Sequence, residues 1–262
     1  MKTFVIGDIH GRFEALKEVL TVSKFNYKED KLILLGDIVD GGYNTYLVVE
    51  ELLKIKNLIF VLGNHDEMFM THISSGWAEE IWLQQGGANT LQSYGSKIIK
   101  LGRDWNESTK MNNKDLNIPV THQEFFNKAV YYHIEDNMCF VHGGFNPKIP
   151  KMESQSKFDL LWDRNLIEYA KKNIIKQFDK VFVGHSTTQS QGDNIGIDNC
   201  LVPIKFNNLI MMDCGAGWNG CLAIMDINTE EHWVSKIQNP IVTPTLTEDT
   251  FKTFLDETKK VK

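Results

Sequence analysis

Arginine is scarce in this chain. Only Arg12, Arg103 and Arg164 occur, among 28 basic side chains that face 34 acidic ones, for a net charge of −6. Nucleic acids are gripped largely through phosphates by clustered Lys and Arg. No dense basic block is present, so stable nucleic-acid binding is not expected. Long apolar runs are missing too. No stretch approaches the roughly 20 residues that cross a bilayer, and the first residues already read as a strand, not as a signal peptide. The expected setting is the cytoplasm, with no membrane partner. Cysteine is sparse and unpatterned: Cys139, Cys200, Cys214 and Cys221 have no CxxC spacing. They read as buried thiols, not as a disulfide frame or a zinc site.

What is there is an ordinary globular composition, 42% hydrophobic and 24% charged in 262 residues. That is enough chain to bury a full core. Strands are expected at Met1–Ile6, Lys31–Leu35 and Leu58–Leu62. Helices are expected at Arg12–Val22 and near Tyr46–Lys54, each with one apolar face. The order βαβαβ with short loops implies parallel strands and right-handed crossovers. Further helix is expected over Glu67–His72, with Asp66 as a cap, and over Ser75–Gly95 with a break at Gly86-Gly87. Residues 96–120 read as a loop-rich surface excursion. A helix at Thr121–Ala129 precedes a hairpin of Val130–Ile134 and Met138–Val141. After a helix reaching about Lys176 and a strand ending at Gly184, a late β run follows: Leu201–Phe206, Leu209–Met212, Cys221–Asp226 and His232–Ile237. The body is taken as one domain over 1–240. A tail over 241–262 carries a short amphipathic helix capped by Thr245 and Glu248.

Five apolar runs end in one way. Phe4-Val5-Ile6 leads to Gly7-Asp8-Ile9-His10-Gly11, and Leu32–Leu35 leads to Gly36-Asp37 and Asp40. Ile59–Leu62 leads to Gly63-Asn64-His65-Asp66, Phe140-Val141 to His142-Gly143-Gly144, and Val181–Val183 to Gly184-His185. One such loop is an ordinary turn. Five of them deliver Asp, Asn and His to the strand carboxyl ends, where open α/β sheets bind ligands. The set Asp8, His10, Asp37, Asn64, His142 and His185 offers oxygen and nitrogen without thiolate. It suits manganese, iron or zinc more than calcium. Six donors are too many for one tetrahedral ion and suit two, which share a bridging ligand; Asp37, on the middle strand of the first three, is the candidate bridge. His65 diverges from its neighbour Asn64 and is a candidate general acid, with Asp40 placed to fix its tautomer.

These motifs resemble the metallophosphoesterase superfamily, and within it the phosphoprotein phosphatase family in its compact bacterial and phage form. Gly7–Gly11, Gly36–Gly42, Gly63–Asp66, His142-Gly143-Gly144 and Val183–His185 stand in that family's order. Leu160–Arg164 and Asp213–Gly220 resemble two further stretches. The resemblance implies an α/β (α+β) calcineurin-like fold, two mixed β-sheets in a sandwich flanked by helices. It implies two divalent or trivalent metal ions, manganese the first choice in vitro and iron or zinc the alternatives. Asp8, His10 and Asp37 would hold one ion, and Asp37, Asn64, His142 and His185 the other. His65 would be the acid, Asp40 its partner, and Arg164 a phosphate clamp, with Asn64 also near the phosphate. Gly41 stands where the family carries an arginine; Arg12 and Asn44 are the candidates to replace it.

The implied activity is hydrolysis of phosphate monoesters by a metal-bridging hydroxide. The first substrate class is phosphorylated serine or threonine in protein, or a small phosphoester. The alternative is a dinucleoside polyphosphate or a nucleotide or RNA-end phosphate, and a third reading is a non-catalytic metal-binding scaffold. His72, His122, His133 and His232, away from strand ends, are expected to be surface or core hydrogen-bonding residues. The six tryptophans read mostly as core or rim, not as a base-stacking platform. Lys148 and Lys151 read as a solvated loop, and Tyr43 as a residue within reach of substrate.

Overall fold

A computed structural model describes residues 1–100, 110–112, 116–196 and 200–236. The tail helix, Arg103 and Trp105 lie outside these. The first half follows the apolar pattern. Strand β1 (Thr3–Ile6) leads to helix α1 (Phe13–Val22), β2 (Lys31–Leu34), α2 (Thr45–Leu52), β3 (Asn57–Phe60) and α3 (Asn64–Ser75). A short helix α4 (Glu80–Trp82) continues through a π turn, Leu83–Gly87, into α5 (Ala88–Ser93). The break falls at Gly86, whose φ of 117° no L side chain adopts readily. The 96–120 excursion, expected to be loop-rich, contains an antiparallel ribbon, β4 (Lys97–Lys100) with β5 (Lys110–Asn112).

The second half gives α6 (Val120–Phe126), the hairpin β6 (Tyr132–Glu135) and β7 (Met138–Val141), α7 (Lys157–Trp162), α8 (Asn165–Ala170) and β8 (Lys180–Val183). It closes with β9 (Ile204–Phe206), β10 (Leu209–Met211), β11 (Ala223–Asp226) and β12 (His232–Val234). Helix α8 stops at Ala170, short of the expected Lys176. The following chain is clamped by Asn208, whose side chain accepts from Ile175 N–H and donates to the carbonyls of Ile175 and Phe178.

Two mixed five-stranded sheets result, in the orders β12-β11-β1-β2-β3 and β6-β7-β8-β10-β9. The late β run is divided between them: β11 pairs antiparallel with β1, and β10 pairs parallel with β8. The period-2 alternation of strand side chains sorts the core into layers. Val5, Ile33, Phe140, Phe182 and Ile210 meet between the sheets, where the rings of Phe140 and Phe182 stack at 5.0 Å. Their neighbours Phe4, Ile6, Leu32 and Leu34 face the helices of the first sheet, packing with Leu16, Val49, Phe69 and Trp82. On the other side Val141, Val183 and Met211 pack with Leu160 and Ile167 from α7 and α8. This is a helix–sheet–sheet–helix sandwich, and β1, β2, β3, β7 and β8 all end on one edge of it.

Candidate metal centre and the cavity around it

At that edge the strand-end glycines let the two sheets close on one another. A Cβ on Gly184 would strike Asp8 Oδ1, and one on Gly63 would strike Asp37. Four site residues turn sharply with left-handed backbones: His10 (φ 48°), Asp37 (φ 49°), Asp40 (φ 67°) and His185 (φ 61°). Such conformations cost energy in non-glycine residues and concentrate at functional sites. Here they aim side chains inward.

The donors gather in two groups that share Asp37: Asp8, His10 and Asp37, and Asp37, His142 and His185. Within each group the ligating atoms lie within 4.8 Å of one another. His142 Nδ1 donates to the Leu35 carbonyl at 2.7 Å, which leaves Nε2 to face Asn64 Oδ1 at 2.9 Å and Asp37 Oδ2 at 3.3 Å. His10 Nδ1 donates likewise to the Val39 carbonyl at 3.0 Å. His185 Nε2 is buried with no hydrogen-bond partner. An orphaned imidazole nitrogen among buried carboxylates suits a cation between them. Oxygen and nitrogen donors without sulfur fit manganese, iron or zinc.

The electrostatics carry the same mark. Burial, then Asp213 and Asp37, push Asp8 well above the usual carboxylate range. Burial and Asp37 push Asp66 up to about 7, and burial opposed by the Gly215 N–H leaves Asp213 at about 6. Burial, against the pull of Asp37, lowers His10 to about 4; burial reinforced by His142 lowers His185 to about 3. A crowd of buried carboxylates beside neutral imidazoles is what cations stabilise.

His65 lies at the start of α3, its ring 5.2 Å from that of His10. Its Nδ1 meets Asp40 Oδ2 at 2.6 Å. Burial lowers its pKa, but the charge of Asp37 and the hydrogen bond to Asp40 outweigh that and lift it to about 9. Asp66 does more than cap α3. It accepts from Gly63 N–H at 3.0 Å and from the N–H groups of Asp37, Ile38 and Val39 at 2.7, 3.0 and 3.4 Å, tying the second motif to the third.

Asp8, His10, Asp37, Asn64, His65, Arg164 and His185 line one cavity of about 750 Å³. Gly41 also lines it, with Gln84 and Gln85 from the π turn and with Trp162, Trp218 and Asn219. Arg12 and Asn44 are not among the lining residues. The Arg12 guanidinium donates instead to the carbonyls of Ala216 at 2.9 Å and Trp218 at 3.2 Å, and Asn44 precedes α2. Tyr43, Lys148 and Lys151 do not line the cavity either. Asp213 does. It directly follows the apolar run Leu209–Met212, the same strand-end signature that marks the other donors.

Comparison with known proteins gives the family. The calcineurin-like phosphoesterase pattern matches residues 1–208. A symmetrical bis(5'-nucleosyl)-tetraphosphatase of Buchnera aphidicola is 43% identical over 67 residues, which is 25% of this chain and 24% of that protein. The match thus spans about a quarter of the relative's length. A candidate diadenosine tetraphosphatase of known structure is 17% identical and superimposes with a TM-score of 0.62 over 89% of this chain and 92% of its own. A protein serine/threonine phosphatase from Saccharomyces cerevisiae, 14% identical, gives 0.51 over 94% and 82%. At these identities the two structures speak for the fold alone. With the motif-bearing strand ends inside the matched span, the chain belongs to the calcineurin-like phosphoesterase family.

Proposed function

We propose that this chain is a metal-dependent phosphohydrolase acting on nucleoside polyphosphates, with dinucleoside tetraphosphates the leading candidates. The observation that carries the reading is Trp218, which stands in the cavity wall with 66% of its surface exposed. An indole left open beside a phosphate-sized floor is a stacking surface for a base. Trp162, half-buried in the same cavity with its ring stacked on Phe158, adds aromatic surface, and a volume of about 750 Å³ accommodates more than a lone phosphate. The Buchnera relative's name points to the same substrate class.

Asp8, His10 and Asp37 would hold one metal ion and Asp37, Asn64, His142 and His185 the other, manganese being the first choice. When bound, the ions supply an activated hydroxide and neutralise phosphoryl charge. The chain's own residues do the rest. Asp37 belongs to both donor groups and fixes their spacing. Asp40 holds His65 Nδ1, so that Nε2 carries the proton offered to the leaving oxygen. Arg164, in the cavity wall, donates to a non-bridging oxygen.

Phosphoserine or phosphothreonine in protein is the second reading. Phe158, 68% exposed and stacked on Trp162 at 6.4 Å, would extend the rim outward to a peptide. A panel of diadenosine tetraphosphate, a phosphopeptide and a bis-ester separates the two. The dinucleotide is expected to exceed the phosphopeptide in kcat/KM by about tenfold or more, the value of one stacked base. A preference for the phosphopeptide makes the second reading the right one.

A further inference from the structure

The chain from Trp82 to Thr90 reaches Asp40 from behind His65 and lines the cavity with its middle. Asp40 is fully buried and both of its oxygens are engaged. Oδ2 accepts from His65 Nδ1 at 2.6 Å and from Trp82 Nε1 at 2.7 Å. Oδ1 accepts from the Thr90 hydroxyl at 2.8 Å, and that hydroxyl oxygen accepts the Asp40 backbone N–H, also at 2.8 Å. Trp82 and Thr90 are 1% and 0% exposed, and neither lines the cavity. Beside them, Asn89 Nδ2 donates to the Gly41 carbonyl at 2.6 Å, and a Cβ on Gly86 would strike Gly41 N.

Between the two anchors runs the π turn, kinked at Gly86, where φ is 117°. It sets Leu83, Gln84, Gln85 and Gly86 on the cavity wall. A carboxylate that orients a histidine and does nothing else needs one donor. This one has two additional side-chain donors, on opposite oxygens, both from one short segment. They remove the carboxylate's rotation, which is the freedom that would let the imidazole swing. Proton transfer is sensitive to such displacement: a shift of about 1 Å costs roughly 100-fold in rate.

We propose that Trp82 and Thr90 are positioning residues: by fixing both oxygens of Asp40 they aim His65 at the leaving group. The proposal rests on the reading of His65 as the general acid. Trp82→Phe removes the N–H and keeps a ring; Thr90→Val removes the hydroxyl at constant shape. Each metal-loaded variant is assayed on phenyl phosphate, whose leaving group needs a proton, and on p-nitrophenyl phosphate, whose leaving group does not. The expected result is a kcat loss of roughly 10–100-fold on phenyl phosphate, a loss under about threefold on p-nitrophenyl phosphate, little change in KM and full metal content. Thr90→Ser, which keeps the hydroxyl, recovers most of the Thr90→Val loss. Selectivity in a folded variant of either residue supports that residue's role. Equal losses on both substrates, a loss confined to KM, or no loss overturns the proposal. His65→Asn is the control. Selectivity there with none in the other two overturns the proposal alone; none even in His65→Asn removes the acid and its positioning residues together.

Discussion

The floor of the cavity and its rim are built by different rules. Every floor donor leaves a strand of the sandwich within a few residues: Asp8 and His10 from β1, Asp37 from β2, Asn64 from β3, His142 from β7 and His185 from β8. Their positions follow from which strands are adjacent and how closely glycine lets them approach. The rim comes from segments that no strand fixes: the π turn, the end of α7 with Trp162 and Arg164 just beyond it, and the Gly217–Asn219 loop. A floor set by sheet geometry keeps one chemistry. A rim set by loops is free to select substrate.

The largest effects belong to the floor. Chelation is expected to reduce activity to background, with Mn²⁺ restoring it and elemental analysis giving two ions per chain. Asp37→Ala should do the same, and so should Gly63→Ala, because its methyl would occupy the space of the Asp37 carboxylate. A folded, active Gly63→Ala breaks the claim that close approach builds the floor. Metal uptake should also release protons. Below neutral pH Asp66, raised to about 7, and Asp213, raised to about 6, with Asp8 raised above the usual carboxylate range, carry protons that cations displace, whereas His10 at about 4 and His185 at about 3 are already neutral and release none. Affinity for Mn²⁺ therefore rises with pH through roughly pH 6 to 7, where Asp213 and Asp66 titrate. Calorimetry in two buffers of different ionisation enthalpy measures this, and zero proton release contradicts it.

His65 stands between floor and rim. His65→Asn should lower kcat by roughly 10²–10⁴-fold on a poor leaving group, with metal content retained and a much smaller loss on p-nitrophenyl phosphate. Loss of metal in that variant would make His65 part of the floor instead.

The same division governs what could be read from the sequence. Strand ends carrying glycine with Asp, Asn or His are local patterns, so the floor was legible, Asp40 beside His65 included. Asp213 follows the same rule after Leu209–Met212 and could have been added by it. Sheet order was not legible. Ala223–Asp226 announces a strand, but only long-range pairing decides that it joins β1 and not the neighbouring β10. Asp66 was readable as a helix cap, one of its four hydrogen bonds; the other three cross to a loop 27 to 29 residues away. Arg12 follows the first motif directly, yet its guanidinium turns to carbonyls more than 200 residues on. Trp218 read as core or rim, and only the folded loop leaves it exposed on the cavity.

On the rim, Arg164 carries the larger expected effect. A charge-assisted hydrogen bond contributes about 1.5–3 kcal/mol, so Arg164→Ala should lower kcat/KM by roughly 10–150-fold. The loss should extend to every phosphate substrate, small ones included, because a guanidinium in the clamp role would address the phosphoryl group common to them all. Unchanged kcat/KM for p-nitrophenyl phosphate removes Arg164 as the clamp and leaves the metal site alone to hold the phosphoryl oxygens.

Trp218 should give the smallest loss and the most selective one. Stacking on a base is worth about 1–3 kcal/mol, or roughly 5–150-fold, and the low end applies to a side chain as exposed as this. Binding energy from a part of the substrate remote from the reacting phosphorus, made equally in ground and transition states, raises KM when lost and leaves kcat alone. Trp218→Ala is therefore expected to raise KM for diadenosine tetraphosphate by roughly 5–20-fold at nearly constant kcat. Hydrolysis of p-nitrophenyl phosphate, which reaches only the floor and Arg164, should be untouched. Trp218→Phe, which keeps an aromatic face, should recover most of the dinucleotide affinity. A KM effect equal for the dinucleotide and for a phosphopeptide would mean that Trp218 shapes the rim without reading a base. The nucleotide reading then loses its main support, while the floor and its chemistry stand.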